Sequence, residues 1–296
     1  MIQRPGFTLI EIICVLGIMA ISTWLVSATL TRHQQLYRAV SERVDVQRGV
    51  RDGVTILAEE FRGASSADTI RLLSDSAVEL FTNLGNSVVC GTPTSIDVGL
   101  APLASASSMT SWLAVPDTGD LLLIYRGESS TPATWERYRI RAVASRAVST
   151  ACPIPSAFRN GGSSSYVVTL STPPAALTAG QPVRFIRRGR YSLYKSSDAK
   201  WYLGYRRCNA IGPSACGSIQ PVSGYYQPYN ADTSRTGLLL RYFDKSGQVV
   251  AGTGAVSLAR VQITARALSP IAVSIDGAPK SARDSASTSV SLRNRP

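Results

Sequence analysis

The chain has 296 residues, of which 44% are hydrophobic and 17% are charged, and its formal net charge is +12 at pH 7. This composition is ordinary for a globular protein, and the length allows one sizeable core or one core with a large insertion. The positive charge suits acidic partners such as nucleic acid, anionic lipid or acidic neighbouring subunits, and the alternative is a solvated surface in a generally basic proteome.

The N-terminal segment contains a long uncharged run. No charged residue occurs between Glu11 and Arg32, so residues 12–31 can form an uncharged helix of roughly 30 Å, the thickness of a bilayer core. Arg4 and the N-terminal amine precede this run, and the positive-inside rule therefore predicts a cytoplasmic N-terminus. We expect residues 7–31 to span the membrane and the rest of the chain to lie on the opposite side.

Glu11 is unusual because it lies at the start of this apolar helix. A carboxylate in a membrane costs about 2.5–3.5 kcal/mol at the helix centre and less near an interface, so such a residue is a functional hypothesis whose partner should be named. The natural partner is an amine. Cleavage between Gly6 and Phe7 would create one, four residues before Glu11.

Residues 6–11 read Gly-Phe-Thr-Leu-Ile-Glu and resemble the class III signal of type IV pilins and pseudopilins. In that family a membrane prepilin peptidase cuts after the glycine and methylates the new N-terminal amine. The resemblance implies a leader at residues 1–6, cleavage between Gly6 and Phe7, and N-methylation of Phe7. It also implies that Glu11 aids subunit docking by pairing with the N-terminal amine of a neighbour.

Two other kinds of N-terminal segment are alternatives. An ordinary secretory signal has an apolar core of about 7–15 residues. Cleavage after Ala28 would fit such a signal, but the core is too long and begins beside Glu11. A plain single-span anchor explains the length of the segment but neither Glu11 nor the pair Gly6 and Phe7. The pilin-type signal accounts for all of these features.

The helix is predicted to continue through residues 32–63 with an amphipathic face. Apolar residues recur there at steps of three or four, and they are Leu36, Val40, Val44, Val50, Val54, Leu57 and Phe61. Such a face favours packing on a sheet, with a membrane-surface helix or a coiled coil as alternatives. Gly49 and Gly53 weaken the helix and mark a bend or a close contact, and Gly63 is a stop signal.

The residues after the helix follow a strand period. Strands are predicted at residues 77–84, 119–126, 135–143, 166–170, 183–188, 191–195, 201–206, 238–243, 256–267 and 288–293. Residues 85–118 and 207–235 are rich in turn-forming residues and are predicted to be irregular insertions. The predicted fold class is therefore α+β, with the long N-terminal helix packed on an antiparallel sheet in a head formed by residues 64–296.

The cysteines predict disulfides on the exported side. Cys208 and Cys216 flank a seven-residue loop and are the expected pair, which leaves Cys90 for Cys152. A metal site formed by these four residues is the alternative, but it lacks the Cys-x2-Cys spacing of structural zinc sites. Cys14 lies in the apolar helix and is expected to be an inert thiol.

A basic segment with interleaved aromatic residues occupies residues 184–207. The candidate contacts to nucleic acid are Arg187, Arg188, Arg190, Trp201, Arg206 and Arg207. Arginines beside exposed aromatic rings grip single-stranded nucleic acid through phosphate contacts and base stacking. The alternative is that the aromatic rings face the core and that the cations line a solvated face of a strand.

No catalytic or cofactor-binding constellation is evident in the sequence. His33 is the only histidine, so a histidine-dependent nucleophile has one candidate base, at the predicted membrane exit. The sequence has no Walker A motif and no dense acidic cluster for calcium or magnesium. We therefore expect a protein that is not an enzyme and that uses no cofactor and no metal.

Further resemblances point to one branch of the pilin family. Residues 56–62 are similar to the helix end of PilW-type minor pilins, and residues 238–248, 256–267 and 291–294 resemble PilW and the J-type pseudopilins of type II secretion. This implies a pilin-like fold and a minor pilin in the priming and tip complex of a type IV pilus, anchored in the bacterial inner membrane. Its implied partners are the prepilin peptidase, the other minor pilins, the major pilin and the inner-membrane assembly platform. A J-type pseudopilin and a DNA-binding or adhesive tip subunit are the alternatives.

Overall fold

A computed structural model describes residues 8–64, 72–102, 109–127, 133–152, 164–210, 215–250, 258–273 and 278–292. The predicted cleavage site, Gly6 and Phe7, lies outside these residues. The helices are α1 (Leu9–Gly63) and α2 (Val148–Ala151). The strands are β1 (Leu72–Leu73), β2 (Ala77–Gly91), β3 (Asp97–Leu100), β4 (Ser111–Trp112), β5 (Leu121–Arg126), β6 (Thr134–Ala147), β7 (Ser164–Leu170), β8 (Pro182–Lys195), β9 (Trp201–Arg207), β10 (Gln220–Tyr226), β11 (Leu238–Asp244), β12 (Val249–Val250), β13 (Leu258–Val273) and β14 (Lys280–Ser291).

Helix α1 is one continuous helix of 55 residues that ends at Gly63, as predicted. It is long and apolar enough to cross a membrane, and the membrane-length window is fully exposed on the protein. Its C-terminal third is buried against the sheet, beginning at Val46. The α1 residues on either side of Val46 therefore meet different surroundings, although the backbone does not break between them.

All strand pairings among the described residues are antiparallel, in agreement with the predicted α+β class. Strands β8, β9, β10 and β13 follow one another across the sheet. Strands β10 and β11 pair with successive parts of one edge of β13, and β14 pairs with its other edge. Helix α1 packs on β10, β13 and β14. The helix that comes first in the chain is thus covered by the strands that come last.

The core beneath α1 is formed by its apolar face and this sheet. Val50, Leu57 and Phe61 are fully buried there, together with Val261 and Ile263 of β13. A fully buried side chain of this size contributes about 1.5–3 kcal/mol through removal from water. The C-terminal half of the predicted amphipathic face therefore packs on the sheet, as expected.

Gly49 and Gly53 mark close contacts and not a bend. A Cβ atom on Gly49 would stand 2.6 Å from the carbonyl oxygen of Gly224 in β10. A Cβ atom on Gly53 would overlap the hydroxyl of Tyr226. The hydroxyl of Tyr226 donates to the carbonyl of Gly49 at 2.8 Å, which joins β10 to the helix backbone. The two glycines let helix and strand approach closely.

A second core lies inside a closed ring of strands. The described strands pair in the cycle β2, β8, β5, β6, β7, β3 and back to β2. Closure is achieved because β2 and β6 are long enough to change partners along their length. Leu100, Leu122, Ile140, Leu170 and Phe185 are fully buried inside the ring. In the ring each of these six strands pairs with two others, so none of them is an edge strand with a single neighbour.

The prediction of two irregular insertions was wrong in part. Residues 85–118 hold the end of β2, all of β3 and all of β4, and residues 207–235 hold β10. The ring is closed by pairings between residues far apart in sequence, which local patterns do not reveal. Strand β10 was missed because its sequence, QPVSGYY, contains proline and glycine and lacks an apolar alternation.

Candidate functional site

The N-terminal end of α1 is capped by reciprocal hydrogen bonds between Thr8 and Glu11. The N–H of Glu11 donates to the Thr8 hydroxyl at 3.4 Å, and the N–H of Thr8 donates to the Glu11 carboxylate at 3.1 Å. This capping box satisfies two helix N–H groups that have no partner within the helix, and it places a negative charge at the positive end of the helix dipole. Glu11 thus has a local partner within its own chain.

Three threonine hydroxyls in the apolar half of α1 form hydrogen bonds within the helix. The hydroxyls of Thr23, Thr29 and Thr31 each donate to the carbonyl four residues earlier, all at 2.8 Å. A hydroxyl bonded in this way leaves no unmet donor toward the surroundings. These side chains are therefore compatible with a lipid or a protein environment without water.

The apolar face of α1 also extends beyond the sheet that covers it. Leu36, Tyr37, Val40 and Val44 are between 46% and 77% exposed, although the amphipathic pattern predicted packing for three of them. The prediction was wrong for Leu36, Val40 and Val44 because the buried part of the helix begins only at Val46. An exposed apolar strip therefore continues along α1 from the uncharged residues 12–31 to Val44, next to the part that the sheet covers.

The basic segment of residues 184–207 is divided between the two faces of β8 and β9. On one face, Arg187 and Arg207 both bind Asp120, with nitrogen–oxygen distances of 2.7 and 3.1 Å. Arg207 also binds Asp117 at 2.8 Å, and this hydrogen bond lowers the pKa of the Asp117 carboxyl. Trp201 lies against the core beneath α1. Arg187 and Arg207 therefore form ion pairs with carboxylates of the same chain.

On the other face, Arg188 and Arg190 bind the two oxygens of Glu79, at 2.5 and 2.7 Å. The side chains of Glu79 and Arg188 are 0% and 1% exposed, and the Arg188 guanidinium lies over the ring of Phe81 at 5.6 Å. Arg206 is half-buried. Arg188 is therefore too buried to contact nucleic acid, and a role for Arg187, Arg190, Trp201, Arg206 and Arg207 stays a prediction.

A different cluster of exposed cations was missed by the sequence analysis. Arg184 lies over the ring of Trp135 at 5.2 Å, and Tyr125 meets the same ring edge-on at 5.3 Å. Arg139 is exposed on the same strand as Trp135. The residues come from β5, β6 and β8, so only the strand order brings them together. The sequence did contain one relevant pattern: Trp135 and Arg139 are an even number of residues apart in β6, so the two-residue strand period places them on the same face.

The cysteines pair as the sequence analysis expected. Cys90 is bonded to Cys152 with a Cα–Cα distance of 5.2 Å, and Cys208 to Cys216 with 3.9 Å. The first bond ties β2 to the residue after α2, and the second closes the loop beside β9. Cys14 is free and exposed. Because the four head-domain sulfurs are bonded to each other, they do not form a thiolate metal site.

Models of known protein families, curated proteins and solved structures were compared with the chain, and none of them matched. Functional inference therefore depends on the features of this chain itself. The strongest of these are the residue 6–11 motif, the cap at Glu11 and the apolar surface of α1.

Proposed function

We propose that this chain is a PilW-like minor pilin of a type IV pilus, acting in the priming and tip complex that starts pilus assembly. The observation that carries the proposal is the Gly-Phe-Thr-Leu-Ile-Glu motif at the start of a 55-residue helix whose first 26 residues, 9–34, are all exposed. Such a helix can be held first by lipid and later by the apolar helices of neighbouring subunits. The proposed activity is packing, without catalysis.

Two features of α1 support this mechanism. The apolar strip at Leu36, Val40 and Val44 extends the uncovered surface past the membrane segment toward Val46. The bonded threonine hydroxyls suit both lipid and a helical filament core. The proposed role of Glu11 is to set the register between subunits by pairing with a neighbour's N-terminal amine.

The first experiment tests processing at Gly6. Mass spectrometry of protein extracted from membranes should find a mature chain that starts at Phe7 and carries one added methyl group. Replacing Gly6 with a bulky residue should leave the leader attached. A mature chain that starts at Thr29, after Ala28, would instead identify an ordinary secretory signal and refute the proposal.

The second experiment separates docking by Glu11 from helix capping. Glu11→Gln keeps an acceptor for the Thr8 N–H but removes the charge, whereas Thr8→Val removes the hydroxyl cap and keeps the charge. We expect Glu11→Gln to reduce the protein in sheared filaments, because a buried amine that loses its carboxylate costs about 3–5 kcal/mol in protein cores. Thr8→Val should assemble nearly normally, since a cap contributes about 1 kcal/mol.

The readouts are the amount of tagged protein in sheared filaments and its cross-linking to the other minor subunits. Equal losses for Glu11→Gln and Thr8→Val would assign Glu11 to capping alone. Wild-type amounts of Glu11→Gln protein in filaments would show that the charge does not dock the subunit. Membrane levels of each variant serve as the control for expression and insertion.

A further inference from the structure

Strand β13 runs along α1 toward the membrane segment. Tyr226, the strand partner of Ala267, donates to the carbonyl of Gly49. Two residues further along β13, the hydroxyl of Ser269 donates to the carboxylate of Glu42 at 2.5 Å. Moving two residues forward along β13, from Ala267 to Ser269, therefore corresponds to moving seven residues back along α1, from Gly49 to Glu42. The β13–β14 pair points toward the membrane end of the molecule.

The end of this strand pair lies close to the layer of lipid headgroups. Glu42 lies eleven residues after residue 31, which is about 16 Å along the helix from the end of the uncharged span. Val273 lies four residues beyond Ser269, but β13 has two more residues than β14 between Leu268 and Val273, so the advance toward the membrane is only about 7 Å. Val273 and its strand partner Lys280 thus stand about 9 Å from the hydrocarbon boundary, just outside a headgroup layer of about 5–7 Å, and the long side chain of Lys280 can extend into that layer.

A cleft opens between α1 and this strand pair. Its volume is about 530 Å³, and Ala39 and Arg43 line it on the helix side. Ile271 and Val273 supply an apolar wall on the strand side, and Ile271 is 53% exposed.

The charge around the cleft is positive. Arg43, Lys280 and Arg283 line it, and Glu42 is the one carboxylate among its described lining residues. None of the three cations forms an ion pair with a carboxylate in the part of the chain that the structure describes. The carboxylate of Glu42 already accepts a hydrogen bond from the hydroxyl of Ser269. Three cations beside an apolar wall therefore suit an anionic amphiphile.

We propose that this cleft binds the phosphate headgroup of an anionic phospholipid from the leaflet on which the head stands. Lys280 and Arg283 hold the phosphate, and Ile271 lies against the glycerol and the upper acyl chains. Basic groups near an anionic membrane surface are attracted by its potential within a Debye length. The proposal rests on the membrane-anchored topology of the proposed function but not on pilus assembly.

The test uses the full-length protein with a photo-crosslinking amino acid at position 271. The protein is reconstituted in nanodiscs that contain equal parts of phosphatidylcholine and phosphatidylglycerol, and lipid adducts are identified by mass spectrometry. We expect a phosphatidylglycerol preference that falls by about fivefold for each cation removed, since each contributes about a factor of five near the surface. The Lys280→Gln, Arg283→Gln double variant should therefore lose about 25-fold.

Arg139→Gln with Arg141→Gln is the matched control, because both residues are exposed on β6 and the change in net charge is the same. This control should keep the lipid preference. Equal losses in both double variants, an unchanged preference in the Lys280 and Arg283 variant, or the absence of lipid adducts would overturn the proposal. Cross-links from position 271 to a second protein chain in place of lipid would also overturn it.

The lipid assay contains no pilus machinery, so its result is independent of processing at Gly6 and of filament assembly. A chain that is not cut by the peptidase would still give lipid adducts if the cleft binds lipid. A chain that enters filaments normally but gives no adducts would refute the lipid site and leave the proposed function intact.

Discussion

Glu79→Gln should strongly destabilise the head. The Glu79 carboxylate is fully buried and receives the guanidinium groups of Arg188 and Arg190. The glutamine side chain has nearly the same shape but no charge, so Arg188 would keep its positive charge in a site that is 1% exposed, without the carboxylate. Breaking a buried ion pair in this way typically costs about 3–5 kcal/mol.

The predicted loss corresponds to a fall in melting temperature of about 6–20 °C, using 2–4 °C per kcal/mol for a head of this size. Thermal unfolding of the full-length protein in detergent, followed by near-ultraviolet circular dichroism, measures it. Asp117→Asn is the matched control, because Asp117 also binds an arginine but its side chain is 65% exposed. An exposed pair contributes about 0–1 kcal/mol.

A second substitution tests the cause of this loss. Arg188→Met in the Glu79→Gln protein removes the buried charge and should recover part of the lost stability, since an apolar replacement of a buried pair is often neutral. The argument fails if Glu79→Gln melts within 3 °C of Asp117→Asn. It also fails if the double variant is less stable than Glu79→Gln alone.

The remaining predictions concern packing, disulfides and pH. Gly53→Ala should lower the melting temperature, although alanine favours helices by about 1 kcal/mol, because the new methyl group would overlap the Tyr226 hydroxyl. Replacing Cys90 and Cys152 by serine should cost about 4 kcal/mol by the loop-entropy argument, and non-reducing peptide mapping that finds these thiols free in the native protein would contradict the bond. Burial raises the pKa of the Glu60 carboxyl, so the folded state holds its proton more tightly and stability falls as the pH rises from about 4.5 through the raised pKa. Glu60→Gln should remove that part of the pH dependence in denaturant titrations at several pH values, and an unchanged slope would refute it.

The elements that follow from one local signal could be predicted from the sequence. The uncharged run before Arg32 and the stop at Gly63 bound α1 to within a few residues. The short spacing of Cys208 and Cys216 predicted one disulfide. Cys90 and Cys152 were then the two cysteines left after residue 32, which predicted the other disulfide. In each case the evidence lies within a single stretch of chain, where length, charge or spacing limits the outcome.

The environment of individual residues could not be predicted, because it depends on contacts between distant segments. Val44 and Val50 occupy the same predicted face of α1, but the sheet covers only Val50. Arg188 and Arg187 are neighbours in β8 and face opposite sides, where they meet different carboxylates. The two-residue period predicts that the faces differ, but it does not tell which face a carboxylate from another strand reaches.

The sheet that covers α1 has a consequence for the order in which the chain folds. The ring strands β2, β3, β5, β6, β7 and β8 all lie within residues 77–195, and the cycle closes without any later residue. The surface of α1 between Val46 and Phe61 is covered by β10, β13 and β14, which lie between residues 220 and 291. During N-to-C emergence the ring can therefore fold first, while the buried face of the helix stays open until the last strands arrive. Loss of the final strand would leave the ring intact and expose the part of α1 that β14 covers.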